Sequence, residues 1–427
     1  NSGLQFSNQM TTQDIQEVLI KSANDLITLD APNYQYVAAR LLLFTIRKEV
    51  FGKHIDHQYE VPLQFLVGRN IEKGLYDPNI MKWYNDEEFK TLDSYIKHDR
   101  DYNFTYAGLR QVADKYLVQD RSSGKVFETP QYMYMLIAAT LFHDYPKETR
   151  MGYIKRYYDA ISKFKINIPT PVMAGVRTPL KQYASCVLVD VDDTLDSIFS
   201  SDMAIGRYIA QRAGIGINAG RIRGINSRIR GGEVAHTGVV PFLKKFESTV
   251  RCCTQNGVRG GSATVHFPIW HQEIEDILVL KNNKGTEDNR VRKLDYSIQM
   301  SKIFYERFIK GGDITLFSPH QVPGLYEAFG TKKFDALYKK YEQDDSIPKK
   351  TVQARTLIGD VLKERAETGR IYIMNIDHAN EHSSFVDKVN MSNLCQEITL
   401  PTDPLQHIDG RGEIALCILS AINVGVI

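Results

Sequence analysis

The densest chemistry in this sequence lies in five residues, Asn393-Leu394-Cys395-Gln396-Glu397. In an extended segment residues two apart point the same way, so Asn393, Cys395 and Glu397 are expected to share one face. A thiol then stands between a neutral amide and a carboxylate. The carboxylate raises the thiol pKa, because like charges repel, and this is a poor setting for a thiolate nucleophile. A cysteine protease wants a nearby histidine or a helix N-terminus instead. Chemistry that keeps the thiol neutral, such as hydrogen-atom transfer, fits the triplet better. A polar strand end without chemistry is the plainer alternative.

The other cysteines are Cys186, Cys252, Cys253 and Cys417. Five in a chain of this length are too sparse for a disulfide scaffold. No CxxC pair and no HExxH occurs, so no metal site is expected. Cys252 and Cys253 are adjacent, poorly placed to pair, and read as packing residues. The thiols are inert or redox-active. Elsewhere Arg221, Arg223, Arg228 and Arg230 stand among Gly224, Gly231 and Gly232. Arginines on a glycine-rich loop suit bidentate phosphate recognition, and a solvated basic turn is the alternative. Gly214-x-Gly216-x-Asn218-Ala219-Gly220 imitates a dinucleotide fingerprint. Its third glycine comes one residue late and the preceding residues read as helix, so that reading is rejected.

These residues need a frame. The 427 residues are 43% hydrophobic and 24% charged with a formal net charge of +2, an ordinary globular composition. Bulk charge gives no reason to expect nucleic acid or membrane as partner. The best apolar run, Met133–Phe142, is short of a membrane span, and no basic-then-apolar leader opens the chain. A soluble cytoplasmic protein is expected. The chain starts at Asn1 and stops on the apolar Val424-Gly425-Val426-Ile427, so both ends read as cut. Up to about residue 185 helices dominate: Thr11-x-x-Asp14 signals a cap, and Tyr34–Val50 and Pro130–Phe142 follow. From 186 onward strands at Cys186–Val189, Ala263–Phe267, Asp313–Phe317 and Arg370–Met374 alternate with helices, one from Asp192 to Gly214 and one over Thr351–Glu367. Such alternation predicts βα units and a parallel sheet.

Several of these stretches occur together, in order, in one family. Ile168-Pro169-Thr170-Pro171, Ser185-Cys186, Gln211–Gly216, Gly257-Val258-Arg259-Gly260-Gly261, Leu278–Gly285, Asn289–Arg292, Leu316–His320, Ser392-Asn393-Leu394-Cys395-x-Glu397 and Glu413–Cys417 make the chain resemble the large subunit of class I ribonucleotide reductase along nearly its whole length.

The resemblance implies a fold and a set of roles. The fold is α/β: a mainly helical N-terminal domain, then the first half of a ten-stranded α/β barrel with the catalytic cysteine on a finger loop. Residues 1–50 would be a remnant of the ATP cone, with Thr12 and Lys48 as relics of its site, 51–185 the helical domain, and 186–427 the half-barrel. Cys395 would become a thiyl radical and abstract the 3′ hydrogen of a ribonucleotide. Glu397 would take the 3′-hydroxyl proton and Asn393 would hydrogen-bond the substrate hydroxyls. Cys186 and Cys417 would supply two electrons and end as a disulfide. Thr170, Ser185 and Gly214, with Asn393 and Glu397, would hold the nucleoside diphosphate. Asp193, Thr194 and Leu195 would meet the base and sugar of a deoxynucleotide effector, and Arg223 and Arg230 its phosphates. Gln255 and Arg259 would read effector identity on a relay loop, in which Asn256 stands where glycine is expected.

Implied partners are a metal-containing, radical-generating small subunit, thioredoxin or glutaredoxin as external reductant, a deoxynucleoside triphosphate or ATP as effector, and a second large subunit. No cofactor would be bound directly. The second half-barrel, with its substrate-phosphate loop, tyrosine pair and tail cysteines, has no counterpart in the sequence, so a separate chain is expected to supply it. An effector-binding fragment without turnover, or a cobalamin-dependent reductase of the same fold, are the alternatives.

Overall fold

The computed structural model describes residues 5–52, 61–254, 260–407 and 410–426. Helix α1 (Thr12–Asp25) begins on a capping box: Thr11 Oγ1 accepts from Asp14 N while the Asp14 carboxylate accepts from Thr11 N. Helix α2 (Tyr34–Phe51) stops at Gly52, whose φ of 76° carries the chain out of the helix. Helix α3 (Pro130–Leu141) opens on proline and is buried almost all round, which makes it the central helix of its unit. Beside it lies a charge pair with no solvent exposure, Arg177 and Glu128. Tyr76 Oη and Val118 N donate to the same carboxylate, so its oxygens are well supplied with donors.

The described residues divide into two units, one running to Tyr183 and resumed from Leu419, the other lying between Ala184 and Ile418. The terminal residues therefore group with the helices. Ile422 pairs antiparallel with Ile166, and Asn423 N donates to Lys165 O at 2.8 Å.

The second unit is a mixed α/β, barrel-type domain. Its sheet contains β1 (Cys186–Asp190), β2 (Gly214–Asn218), β3 (Ala263–Pro268), β4 (Asp295–Met300), β5 (Ile371–Asn375) and β6 (Ala415–Cys417). The spatial order is β5-β4-β3-β2-β1-β6. Neighbours from β1 to β5 are parallel, and β6 runs antiparallel to β1 at the edge. Helices α4 (Leu195–Ala210) and α5 (Ala354–Thr368) lead out of β1 and into β5.

Parallel sheets buried on both faces are usually apolar on both. This one is not. Val187, Val189, Ile215, Ile217, Val265, Phe267, Tyr296 and Ile298 lie on one face and join the hydrophobic core. Each is fully buried, worth about 1.5–3 kcal/mol per side chain. The alternate positions are mostly polar or small, with Leu188 and Met374 as the apolar exceptions. Asp190, Asn218, His266, Ser297 and Tyr372 are register partners in one row across all five parallel strands.

Two strand expectations need correction. Asp313–Leu316 is a strand, but it pairs antiparallel with Lys350–Gln353 in a separate two-stranded piece rather than joining the parallel sheet. The glycines at 214 and 216 belong to a central strand, not to the turn after a helix. Glycine is a weak strand former, and Gly216 is present here because another backbone passes close by.

Candidate active site

The segment 390–398 crosses the polar face of the sheet and is fastened along its length. Asn390 Nδ2 donates to Asp190 Oδ2 at 3.3 Å, and Gln299 Nε2 donates to Asn390 O at 2.6 Å. Ser392 and Asn393 then pass over Gly216, where a Cβ would press on Ser392 O and come within 2.9 Å of Asn393 Cα. Thr264 Oγ1 donates to Leu394 O at 2.7 Å. Ser392 Oγ donates to Ile398 O at 2.6 Å and Ile398 N to Asn393 Oδ1 at 3.1 Å, which close the loop on itself.

The extended conformation expected for 393–397 is not found. Residues 394 and 395 form a turn, and Gln396 adopts a left-handed φ of 69°. Asn393 is fully buried, while Cys395 and Glu397 are exposed. The three do not share one strand face, but Asn393 and Glu397 meet at Cys186. Asn393 Nδ2 donates to Cys186 Sγ at 3.3 Å, and Cys186 Sγ donates to Glu397 Oε1 at 3.7 Å. Cys395 sits at the turn, where it acts electrostatically on the Tyr372 phenol, whose pKa is raised first by burial and then by this thiol.

Cys186 and Cys417 are register partners across the antiparallel β1–β6 pair. Opposed Cα atoms in such a pair lie about 4.5–5.5 Å apart, inside the span a disulfide bridges. Both are thiols here. Burial, and then Glu397, pushes the Cys417 thiol up from its ordinary value, so it stays protonated at neutral pH. Ser185 N donates to Cys417 O at 3.0 Å, and Gly214 N donates to Ser185 O at 2.8 Å. Thr170 belongs to the helical unit, where it begins a short helix (Thr170–Gly175) and its Oγ1 lies 3.3 Å from Tyr116 Oη.

The two units of the chain match known family models. The description "Ribonucleotide reductase, barrel domain" fits residues 184–427, and "Ribonucleotide reductase, all-alpha domain" fits residues 102–181. The chain belongs to the class I ribonucleotide reductase large-subunit family. The ribonucleoside-diphosphate reductase subunit alpha of Haemophilus influenzae is 54% identical over 432 residues, covering 100% of this chain and 57% of that protein. Ribonucleoside-diphosphate reductase 1 subunit alpha of Escherichia coli is 54% identical over 410 residues, 95% of this chain and 53% of its own length. The alpha subunit of Enterobacteria phage T4 is 46% identical over 420 residues, 96% and 54%. The chain thus spans about half the length of the curated relatives it matches.

A second polar cluster of this ribonucleotide reductase chain surrounds the start of α4. Thr194 caps that helix, its Oγ1 accepting from Ser197 N at 3.1 Å, and Leu195 is left exposed. Asp193 accepts from Arg223 N at 2.9 Å and from Arg223 Nε at 2.7 Å. Arg230 is exposed on the same loop, at a left-handed φ of 50° before Gly231. Asp193, Thr194, Leu195 and Arg223 are thereby gathered at one helix end. Gln255 and Arg259 lie outside the described residues.

The sequence reading missed the polar partners at the carboxyl ends of β1 and β2. Asn218 Nδ2 donates to Asp190 Oδ1 at 2.7 Å, and Tyr326 Oη donates to Asn218 Oδ1 at 2.9 Å. Arg221 lies 3.7 Å from Asp190 and stacks 4.4 Å from the Tyr326 ring centroid. Burial raises the Asp190 carboxyl to about 6 against the pull of Arg221, and burial lowers the Lys388 ammonium to about 8. The available signal was the pattern Cys-Val-Leu-Val-Asp, a strand with an acid closing an apolar run. Among the described residues no three His, Cys, Asp or Glu groups could hold a metal ion, and no helix is long and apolar enough to cross a membrane.

Proposed function

We propose that this chain is the thiol-bearing part of a ribonucleoside-diphosphate reductase and is catalytically incomplete alone. The observation that carries the reading is the Cys186–Cys417 register pair, with Cys186 reached by both Asn393 and Glu397. In this reading the loop 390–398 is the finger loop and the five parallel strands are half of a ten-stranded barrel. A radical arriving from a small subunit oxidises Cys395 by one electron and removes its proton. The thiyl takes the 3′ hydrogen while Glu397 accepts the 3′-hydroxyl proton, and Asn393 holds the hydroxyls. The 2′ oxygen leaves as water. Cys186 and Cys417 supply the two electrons and two protons and become a disulfide, and Cys395 returns its hydrogen to C3′. The sum is one ribonucleotide and two thiols giving one deoxyribonucleotide, one disulfide and one water. Thioredoxin or glutaredoxin restores the thiols.

Ser185 and Gly214 complete the substrate site of the second unit in this reading. Asp193, Thr194, Leu195, Arg223 and Arg230 bind a deoxynucleoside triphosphate or ATP, residues 1–50 are a cone remnant, and the protein works in the cytoplasm as a dimer. Coverage of about half of the relatives' length supports incompleteness.

The test is reconstitution of this chain with the C-terminal portion of a relative and a radical-generating small subunit, scored by deoxynucleotide formation. Turnover that vanishes in Cys395→Ser supports the reading. Turnover that survives that change, or turnover by the chain alone, defeats it.

A further inference from the structure

Two groups beside the thiols have no part in the reaction just described. Gln396, between Cys395 and Glu397, holds a left-handed φ of 69°, a conformation side chains with a Cβ rarely adopt. Its amide is fastened to the sheet: Ser297 Oγ donates to Gln396 Oε1 at 3.3 Å, and Gln396 Nε2 lies 3.4 Å from His266 Nε2. His266 and Ser297 are register partners on β3 and β4. His266 has no solvent exposure, and burial lowers its pKa to about 3, so the ring is neutral; in the tautomer protonated at Nδ1 its Nε2 can accept the Gln396 amide proton. The same ring interacts with the backbone of Ser392 and Asn393. The left-handed step also has a consequence for chain direction. It breaks the extended alignment of Cys395 and Glu397 and lets Glu397 Oε1 reach Cys186 while Cys395 stays exposed.

We propose that Gln396, clamped by His266 and Ser297, is a positioning residue that sets the directions in which Cys395 and Glu397 leave the turn. The proposal rests on the reading of Cys395 as the reacting thiol, but its test needs no turnover. If the clamp is real, the side chain holds the backbone. If Gln396 merely fills space, an apolar group of similar size does as well.

The experiment uses the whole chain and the variants Gln396→Leu, Gln396→Gly, His266→Phe, His266→Gln and the double variant Gln396→Leu/His266→Phe. Hydrogen exchange over residues 390–399 reads loop order, and iodoacetamide labelling of Cys395 relative to Cys417 reads thiol direction. Gln396→Leu, Gln396→Gly and His266→Phe are each expected to speed loop exchange by at least about ten-fold. They shift the labelling ratio by at least about three-fold, and leave exchange in β1 and β2 unchanged. His266→Gln keeps an acceptor and stays within about two-fold of the parent, and the double variant is no faster than its faster parent. Parent-like exchange in Gln396→Gly or Gln396→Leu overturns the clamp. So does His266→Gln behaving like His266→Phe, or equal acceleration in the strands. Survival of turnover in Cys395→Ser is a separate result: it would remove Cys395 from the reaction and leave the exchange data intact.

Discussion

Asn393 Nδ2 donates to the sulfur of Cys186 at 3.3 Å, although 207 residues separate them in the chain. Asn393 is also the acceptor for Ile398 N. One buried amide thus fixes both the loop's closure and its distance from the sheet thiol. Asn393→Ala removes both the acceptor of Ile398 N and the donor to Cys186 and is expected to lower stability by about 1–3 kcal/mol. Urea denaturation at neutral pH measures this, and an unchanged midpoint would show that the amide only touches substrate.

Gly216 is where the loop comes closest to the sheet. Gly216→Ala places a methyl group against Ser392 O and Asn393 Cα, both backbone atoms with nowhere to go. Overpacking of this kind costs about 1–3 kcal/mol. Cys395 labelling should accelerate in parallel as the loop lifts. Gly152→Ala, which meets nothing within 4 Å, is the control.

Treatment with diamide should join Cys186 to Cys417, with loss of two hydrogen atoms seen in the intact mass and the bridged peptide found after digestion. Cys417→Ser should abolish that bridge. A bridge from Cys395 to either partner instead would mean that the register pair is not the reactive couple.

Arg223 makes two hydrogen bonds to Asp193, the residue before the cap of α4. If a triphosphate binds there, Arg223→Ala forfeits a charge-assisted contact of about 1.5–3 kcal/mol. Calorimetric titration with a deoxynucleoside triphosphate should show affinity about ten- to a hundred-fold weaker. Equal affinity would place the nucleotide elsewhere.

Acid should expose the buried histidine. Burial lowers His266 to about 3 from an ordinary 6.5, so the unfolded chain takes up a proton that the folded chain refuses. Its contribution is complete above pH 6.5 and is lost as pH falls toward 3. Asp190, raised to about 6, has the opposite sign: its contribution is complete below its ordinary 3.8 and is lost as pH rises through 6. Comparing His266→Phe with the parent cancels Asp190. The variant's stability should fall less steeply between pH 6 and 4, by up to about 1.4 kcal/mol per pH unit. Urea midpoints across that range decide it.

Strands with β-branched runs, such as Cys186–Val189 and Ala263–Phe267, were legible because apolar continuity and length are local signals. Gly214–Asn218 was not, because its Gly216 serves a backbone that arrives 176 residues later (392 − 216). The triplet around Cys395 was recognisable by residue type, but its shape was not: the left-handed turn at Gln396 depends on His266 and Ser297, which are local to nothing in that segment. The Asp313 strand was found and its partner mistaken, since pairing with Lys350–Gln353 is a tertiary choice.

The two unlike faces of the parallel strands make substitution and insertion unequal hazards. The hydrophobic core lies on the side of Val187, Ile215, Val265 and Ile298, and the cradle for the Cys395 loop on the side of Gly216, Thr264, His266 and Ser297. Exchanges among the latter can retune the loop without opening the core, so new chemistry is accessible by single steps. Loss or gain of one residue within a strand swaps the faces, sending isoleucine to the loop and glycine to the core. Within these strands, length is under far tighter constraint than identity.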